Sequence, residues 1–265
     1  MNNIADNFDQ ILEFARNYGL PLTKKRAVLR EYLQVRILEI IYQERVSKNL
    51  FFVGGTALRF LRDLDRFSED LDFDTLNITS SQIDSLLRKV HNQLAKENIA
   101  VDFYRNVTPK KIHYELRFKD LLYQLGMSRN HEEKLIVKFD FESFWQSLER
   151  EVILLNRYGH LINVVTLPLN QVLVQKLWAY INRKQTLPRD LYDLVWLVAQ
   201  QAKPDFRFMK TNHLPANLLD QTKSKFVKEK SQIKTLKAKL APFLINEKNV
   251  DKLDFFLQTI ELCRG

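Results

Sequence analysis

The sequence is poor in cysteine and glycine and has no long apolar run. Its single cysteine, Cys263, cannot form an internal disulfide and has no second thiol with which to build a zinc cluster. We find no apolar run near the roughly 18 residues that a membrane-spanning helix needs. The opening stretch MNNIADNFDQILEF carries early acidic residues and helical spacing, not a basic start and an apolar cleavable core. These absences predict a folded cytoplasmic protein of a reducing compartment, with no membrane partner.

Several familiar catalytic patterns are also missing. The histidines form no HxxxH or HxH spacing, so each is expected to be structural or exposed and not a metal ligand; they stand at positions 91, 113, 131, 160 and 213. Neither G-x-S-x-G nor G-x-G-x-x-G is present, which weakens the hydrolase and dinucleotide-binding interpretations.

Positive charge is plentiful and unevenly spread. The chain has 265 residues and a net charge of +9. Residues 203–240 hold 10 Lys or Arg against 3 Asp or Glu, a local charge of +7. A concentrated basic surface attracts polyanions, so nucleic acid is the leading partner class, and we expect Lys234, Lys237 and Lys239 to contact it. The alternative is a solvated, lysine-rich helical face with no ligand.

The hydrophobic pattern divides the chain into a mixed first part and a helical second part. Apolar spacing predicts helices at 4–17 and 22–47, and a further helix near 80–98 that carries a capping-box pattern of Ser81 and Asp84. Alternating or apolar segments predict strands at 69–75, 100–107, 112–118, 133–141 and 162–167. After Pro168 the pattern predicts helices at 169–182 and 188–201 and two or three lysine-rich helices. We therefore expect an α+β fold: a mixed sheet with flanking helices over 1–166, then a helical domain over 167–265 that completes a cleft.

The stretch EDLDFDT places carboxylates on one side of a predicted strand. Side chains alternate along a strand, so Asp70 and Asp72 point the same way, about 7 Å apart by strand rise. Two carboxylates without nearby Cys or His favour Mg²⁺ or Mn²⁺ over zinc. The alternative is an edge strand whose acidic residues simply face water.

A pair of glycines precedes this strand. Gly54, Gly55 and Thr56 follow the apolar run NLFFV and open a helical turn, where free N–H groups and the helix dipole favour a phosphate. Glycine also permits close approach, because it has no Cβ atom. The spacing is not that of a P-loop, and such a pair alone is often only a turn.

Together these two segments resemble a known motif. GGTALRFL followed by RFSEDLDF is similar to the opening motif of the DNA polymerase beta nucleotidyltransferase superfamily, and more narrowly to the AbiEii-type toxin nucleotidyltransferases of bacterial abortive-infection and toxin–antitoxin systems. QKLWAYINRKQTLPRDLYDL, residues 175–194, resembles the second signature of that family: a lysine, then an arginine, then R-D-x-x-D. The resemblance spans about residues 50–200.

The resemblance implies roles for the residues of the first motif. Asp70 and Asp72 would bind the ions that carry a nucleoside triphosphate, and Gly54, Gly55 and Thr56 would line its phosphates. The superfamily usually has serine where this chain has Thr56, and threonine keeps the hydroxyl. A third carboxylate often completes the site, for which Asp140 is the candidate and Glu142 its rival; Asp140 could also be a charged outward position.

The resemblance likewise implies roles for the second signature. Lys176 matches a lysine that neutralises the triphosphate, and it is expected to be exposed and to share a helix face with Arg183. Asp193 becomes a candidate for activating or orienting the acceptor hydroxyl, and Asp190 or Arg189 for organising the site. Without the family, an acidic first helical turn and an Arg189–Asp193 pair at i, i+4 would explain these residues.

The function implied is that of a toxin that transfers a nucleoside monophosphate from a nucleoside triphosphate to RNA, most plausibly the acceptor end of a transfer RNA, with a separately encoded antitoxin as partner. Two alternatives stay open. One is a small-molecule nucleotidyltransferase, for which the basic segment would be unnecessary. The other is a nucleic-acid-binding protein that kept the fold without turnover.

Overall fold

The structure, a computed structural model, describes residues 4–108 and 111–263. The predicted α+β fold is confirmed: a mixed five-stranded sheet with helices is followed by a helical C-terminal part. The chain divides into two compact units. The first comprises the residues up to 63 with 67–144 and 152–166, and the second comprises 64–66, 145–151 and the residues from 167 onward.

The first unit contains the sheets. Its helices are α1 (Phe8–Asn17), α2 (Lys25–Tyr42), α3 (Gly54–Arg62), α4 (Ser80–Lys96) and the short α5 (Leu121–Gln124). Its strands are β1 (Leu50–Val53), β2 (Asp70–Thr75), β3 (Val101–Val107), β4 (Lys111–Phe118), β5 (Leu135–Glu142), β6 (Glu151–Arg157) and β7 (His160–Thr166). A 3₁₀ turn, Arg45–Asn49, links α2 to β1.

The main sheet has the strand order β1-β2-β5-β4-β3, and β6 and β7 form a separate pair. Strands β2 and β5 are parallel, and the other neighbours in the main sheet are antiparallel. One face of the sheet is apolar: Leu71, Phe73, Phe139 and Phe141 are buried there. Helix α2 contacts β5, and α4 contacts α2 and β3, so these helices cover the core.

The opposite face of the main sheet is polar, because the strands alternate apolar and polar residues. The strand register aligns the polar positions in rows across the sheet. Asp72 on β2 lies opposite Asp140 on β5, and Asp140 lies opposite His113 on β4. The next row joins Asp74, Glu142 and Lys111. This face, which we call the acidic face, carries the carboxylates that the sequence singles out.

Two details of the first unit differ from the sequence-based expectation. The capping box of α4 is formed by Thr79 and Gln82, not by Ser81 and Asp84. Thr79 has extended backbone angles and its hydroxyl accepts from the Gln82 N–H, so the capping box lies two residues before the expected one. The sequence did not predict strand β6. Its exposed positions include the apolar residues Val152 and Leu154, so it lacks the alternation of apolar and polar residues by which a strand is recognised.

The second unit is helical. Its helices are α6 (Leu169–Asn182), α7 (Pro188–Ala199), α8 (Phe206–Thr211), α9 (Leu218–Glu229), α10 (Ile233–Leu240) and α11 (Phe256–Leu262), with 3₁₀ turns at Lys230–Gln232, Ala241–Phe243 and Glu247–Phe255. The expected helix at 169–182 is confirmed. Helices α6 and α7 pack on each other, and both contact further helices of this unit. Tyr180, Tyr192 and Phe256 are fully buried in its core.

Among residues 4–108 and 111–263, no helix is long and apolar enough to cross a membrane.

Candidate active site

The end of β1 and the start of α3 bring Gly54 against the side chain of Asp72. Gly54 has φ +78°, in the left-handed region that favours glycine. A Cβ atom added to Gly54 would lie 2.1 Å from Asp72 Oδ2, well inside van der Waals contact. Val53, the last residue of β1, pairs with Asp72 in the strand register, and Gly54 follows it directly. The Asp72 carboxylate therefore lies beside Gly54. The Gly-Gly turn therefore makes space for an aspartate of the acidic face.

Thr56 joins the same turn to β2. Its hydroxyl donates to the Asp70 carbonyl oxygen, and its side chain is fully buried. Asp70 and Asp72 are each partly exposed. The Thr56 hydroxyl thus fixes the start of α3 relative to the strand that carries both aspartates. Phosphate binding by Gly54, Gly55 and Thr56 stays a prediction.

Asp140 is engaged by two basic side chains from β4. Lys111 Nζ lies 2.7 Å from Asp140 Oδ2, and His113 Nδ1 lies 2.7 Å from Asp140 Oδ1. Lys111 also lies 3.4 Å from Glu142 Oε1. Burial disfavours the charged ammonium, but the hydrogen bond to Asp140 and the attraction of Asp140, Glu142 and Asp72 raise the pKa of Lys111. Both candidates for the third carboxylate therefore share one cation.

The donor set of the acidic face suits a hard divalent cation. Asp70 and Asp72 offer carboxylate oxygens from alternate positions of one strand, and Asp140 is the register partner of Asp72 on the next strand. The space beside Gly54 admits the Asp72 carboxylate where any side chain would exclude it. In the described part of the chain, no three His, Cys, Asp or Glu side chains are grouped so as to hold a metal ion by themselves. Phosphate oxygens of a substrate would have to complete such a site.

The second unit contains a buried ionic cluster centred on Asp193. Arg66 donates from Nε to Asp193 Oδ1 and from a terminal nitrogen to Oδ2, both at 2.7 Å. Lys176 Nζ lies 2.7 Å from the same Oδ2 and 4.0 Å from Asp190 Oδ1. Asp193 has no exposed surface, and the Arg66 side chain is 2% exposed. Asp193 therefore has no exposed atom with which to meet an acceptor hydroxyl, and it is placed to hold Lys176.

The opposite charges of this cluster stabilise the ionised forms of Asp193 and Arg66. Burial opposes ionisation of Asp193, but the attraction of Arg66 and Lys176 outweighs it and lowers the pKa of that carboxyl. Burial likewise opposes the charge on Arg66, and the attraction and hydrogen bonds of Asp193 raise the pKa of the guanidinium. Both partners are ionised at neutral pH, as a two-pronged Arg–carboxylate pair requires.

Two expectations for the second signature need correction. Lys176 is not an exposed lysine, because its side chain is only 14% exposed and is paired with Asp193. Arg183 does not share a face of α6 with Lys176, because the helix ends at Asn182 and Arg183 follows it in extended conformation. Arg183 nevertheless reaches the same cluster: its Nε lies 2.7 Å from Asp190 Oδ2 as an ion pair, without the alignment of a hydrogen bond.

The guanidinium carbon of Arg189 lies 4.6 Å from the centroid of the Phe243 ring. Asp193 is contacted by Arg66 and Lys176. The organising role of Arg189 or Asp190 stays a prediction.

Three residues of these arrangements were not among the candidates predicted from the sequence. Arg66 lies in the quoted segment RFSEDLDF, so it was in view but had no assigned role. His113 lies in the predicted strand 112–118 and Lys111 just before it, yet only the sheet register shows that they meet Asp140. No sequence spacing reports such a register, because β4 and β5 are joined by a long connection.

The basic segment 203–240 is partly neutralised within the second unit. Lys237 contacts Asp254 at 2.6 Å and Asp251 at 2.9 Å, and these hydrogen bonds raise the pKa of Lys237. Lys223 pairs with Glu261. Lys237 is therefore a poorer candidate for binding a polyanion than the sequence suggests. Exposed lysines of the segment are Lys203, Lys210, Lys228, Lys230, Lys234 and Lys239.

Comparison with known proteins agrees with the fold and with the two signatures. A family model described as the nucleotidyl transferase AbiEii toxin of Type IV toxin–antitoxin systems matches residues 36–255. The chain is thus a nucleotidyltransferase of the toxin class, and it belongs to the AbiEii family. The family generally uses a nucleoside triphosphate and a divalent metal, and it implies an antitoxin. A search of curated proteins gives no match.

Solved structures share the fold at low sequence identity. JHP933 from Helicobacter pylori is 19% identical, with a TM-score of 0.55, over 88% of this chain and 91% of that one. MenT4, a nucleotidyltransferase toxin from Mycobacterium tuberculosis, is 22% identical, with a TM-score of 0.50, over 71% of this chain and 64% of that one. At these identities the likeness supports the fold alone.

Proposed function

We propose that this protein transfers a nucleoside monophosphate from a nucleoside triphosphate to an RNA acceptor, most plausibly the 3′ end of a transfer RNA. The observation that carries the proposal is the acidic face, where Asp72 folds over the glycine turn and Asp70 lies two residues before it on the same strand. Strand β2 lies between β1 and β5, so it is not the edge strand that the alternative interpretation assumes.

Asp70 and Asp72 would hold a divalent cation, Mg²⁺ or Mn²⁺, and Asp140 would be the third ligand if Lys111 releases it. Such a cation, when bound, offsets phosphate charge and lowers the pKa of an attacking hydroxyl. The Asp72 carboxylate lies against Gly54, and the backbone of Asp70 accepts a hydrogen bond from the Thr56 hydroxyl. These contacts place the strand that carries both carboxylates beside the start of α3, where a bound phosphate would lie.

Lys176 and Arg183 would contact the triphosphate. The cluster has three cations, Arg66, Lys176 and Arg183, against the two carboxylates Asp190 and Asp193, so it keeps an excess of positive charge. An ammonium has three N–H donors, and the bond to Asp193 uses one of them. In this proposal Arg66 and Asp193 are positioning residues, which hold the Lys176 amine where a phosphate can accept from it.

The acceptor is proposed to be RNA because of the exposed lysines on α9 and α10. Lys228, Lys234 and Lys239 are exposed, and a phosphate backbone would release counterions on binding them. A small cationic acceptor would gain nothing from this charge. Growth arrest, relieved by the antitoxin that the family implies, would follow from modified transfer RNA.

A labelling experiment tests the proposal. Each of the four α-labelled nucleoside triphosphates is incubated with the protein, Mg²⁺ and total cellular RNA, and with small metabolites in place of RNA. The Asp72→Asn variant should lose transfer by orders of magnitude, because the amide removes the charge that a hard cation requires. Asp102→Asn is the matched control, since Asp102 is an exposed aspartate of the same sheet that pairs with Lys119.

The outcomes separate the alternatives. Label in a transfer RNA band that disappears with Asp72→Asn and persists with Asp102→Asn supports the proposal. Label in small molecules alone would favour the small-molecule transferase. RNA binding without label, with growth arrest preserved in Asp72→Asn, would favour a binding protein and contradict transfer.

A further inference from the structure

We propose that Tyr104 on β3 and Arg117 on β4 form a stacking platform for unpaired bases of the acceptor RNA. The platform holds the RNA a few nucleotides away from the 3′ end that receives the new nucleotide. This inference rests on the proposed function, since it names how the acceptor of that reaction is bound. It places a binding site on the two strands of the main sheet that lie furthest from β1.

Tyr104 points to the acidic face of the main sheet. Its two neighbours on β3 contact the helix on the opposite side: the ring centroids of Phe103 and His91 on α4 are 5.0 Å apart, and Arg105 Nε donates to Asp84 on α4 at 2.9 Å. Because side chains alternate along a strand, Tyr104 faces away from α4. Its side chain is 43% exposed, so much of this aromatic ring meets solvent.

The strand register connects Tyr104 with the aspartates of β2. Tyr104 lies opposite Glu115 on β4, Glu115 lies opposite Lys138 on β5, and Lys138 lies opposite Asp70 on β2. These four residues form one row across the acidic face. Three strand spacings of about 4.8 Å put Tyr104 about 14 Å from Asp70. Stacked nucleotides advance about 3.4 Å each, so several nucleotides of an RNA strand span this distance, whereas a nucleoside triphosphate has only one base.

Arg117 completes the platform. Its guanidinium carbon lies 4.6 Å from the centroid of the Tyr104 ring, and its side chain is 35% exposed. Aromatic rings and guanidinium groups are the planar side chains on which unpaired bases stack in RNA-binding proteins. Glu115 lies 2.8 Å from a terminal nitrogen of Arg117, which orients the guanidinium and compensates the charge of this carboxylate. The pair therefore offers a flat, exposed surface to a nucleobase.

Polar groups beside the platform suit the rest of a nucleotide. Lys138 is exposed in the same row, between the platform and Asp70, where its ammonium can pair with an RNA phosphate. Asn106 is exposed two residues after Tyr104 on the same side of β3, and its amide has donors and an acceptor for the edge of a base. In a duplex the faces of the bases are covered by stacking. The platform therefore selects unpaired bases.

Removing the aromatic ring should weaken RNA binding without changing its salt dependence. Tyr104→Leu keeps an apolar side chain but has no π face. Its affinity for single-stranded RNA should fall about 5-fold to 150-fold, the range that corresponds to the loss of one stacked base. Because tyrosine carries no charge, the slope of log affinity against log salt should stay that of the wild type. Tyr104→Phe keeps the ring and should bind as the wild type does.

The experiment measures fluorescence anisotropy of a labelled single-stranded RNA of about 10 nucleotides with the full chain at several salt concentrations. Tyr123→Leu is the matched control: Tyr123 is 42% exposed and stacks on His131, but it lies on α5, outside the sheet. The same RNA with abasic positions should bind the wild type more weakly, and Tyr104→Leu should weaken its binding no further. If Tyr104→Leu does not fold, Tyr104→Val replaces it.

A calorimetric titration with a nucleoside triphosphate accompanies these measurements. Triphosphate affinity should be equal in the wild type and in Tyr104→Leu, because the platform binds the acceptor. A loss of triphosphate affinity with unchanged RNA affinity would assign the Tyr104 ring to the base of the nucleotide and overturn the proposal.

The RNA measurements separate this proposal from the proposed function. Wild-type protein that does not bind RNA would overturn the RNA acceptor, and the platform with it. RNA binding that is unchanged in Tyr104→Leu, that falls equally in Tyr123→Leu, or that falls with a flatter salt slope would overturn only the platform. A loss of RNA affinity in Tyr104→Leu, with the wild-type salt slope and with Tyr104→Phe and Tyr123→Leu unaffected, supports it.

Discussion

Arg66 and Asp193, which stand 127 residues apart in the sequence, form a two-pronged ion pair within the second unit, and neither side chain is exposed by more than 2%. Arg66 comes from the segment RFSEDLDF and Asp193 from RDLYDL. The two sequence signatures of the family are therefore joined by a direct bond. The ion pair shows that the two segments, far apart in the sequence, meet in the folded second unit.

Asp193→Asn should destabilise the protein strongly. The substitution removes the carboxylate that accepts two hydrogen bonds from the buried Arg66 guanidinium, and breaking a buried pair from one side costs about 3–5 kcal/mol. Urea unfolding would measure the change. The double variant Arg66→Met with Asp193→Leu removes both charges, and it should recover part of the loss because apolar groups of similar size tolerate burial. A double variant less stable than either single variant would contradict this account.

The stability that Asp193 contributes should persist to unusually low pH. Its folded pKa is below the ordinary value of 3.8. A carboxyl whose folded pKa is depressed adds stability above its unfolded pKa and loses it as the pH falls through the folded pKa. In acid titration of the unfolding free energy, Asp193→Asn should therefore show a flatter dependence below pH 3.8 than the wild type. If the unfolding free energies of the wild type and Asp193→Asn changed with pH in parallel below pH 3.8, Asp193 would not titrate in this pH range.

Gly54→Ala should abolish transfer although it replaces none of the carboxylate residues. The added Cβ would meet Asp72 Oδ2 at 2.1 Å, so Asp72 has to leave its position. Gly19→Ala is a matched control, because Gly19 also has positive φ, +69°, but nothing lies within 4 Å of its Cβ position. Both variants carry the backbone cost of about 1–2 kcal/mol for a left-handed residue. Equal transfer rates in Gly54→Ala and Gly19→Ala would show that transfer does not depend on the space that Gly54 leaves for Asp72.

Lys176→Met should weaken nucleotide binding and also destabilise the fold modestly. Removing the ammonium takes one of two cations from Asp193, while Arg66 keeps the carboxylate paired. Calorimetric titration with a non-hydrolysable triphosphate, at a temperature well below the melting transition, separates affinity from stability. Lys225→Met is a suitable control, because Lys225 bonds the carbonyl oxygens of Tyr180 and Arg183 and no carboxylate of the cluster. Unchanged affinity in Lys176→Met would remove Lys176 from the nucleotide site.

Reversing the exposed lysines of α9 and α10 should weaken RNA binding. The triple variant Lys228→Glu, Lys234→Glu and Lys239→Glu should lower the affinity for RNA and flatten its dependence on salt, because fewer counterions are released. Lys237→Glu is the comparison, since Lys237 is held by Asp251 and Asp254. Filter binding at several salt concentrations measures both quantities. If the triple variant keeps the wild-type slope, the basic helix start around Lys24 and Lys25 becomes the better candidate.

The sequence predicted what depends on local periodicity and on motifs. The α+β class and the helix at 169–182 followed from apolar spacing, and the family followed from two short signatures. It could not predict the partners of Lys176 or Asp140, because those contacts depend on strand register and on side chains brought together from distant segments. Arg66 shows this limit: nothing near position 66 indicates that its partner is at position 193.

The placement of residues 64–66 in the second unit also affects the order of folding. During synthesis Arg66 leaves the ribosome long before Asp193 is made. Its guanidinium must therefore stay hydrated until the Asp193 carboxylate is available. A chain that ends before position 193 lacks the Asp193 carboxylate that pairs with Arg66, and it lacks most of the second unit. We expect such incomplete products to be recognised as unfolded and degraded. The ion pair thus makes the stability of the second unit depend on synthesis of the chain beyond Asp193.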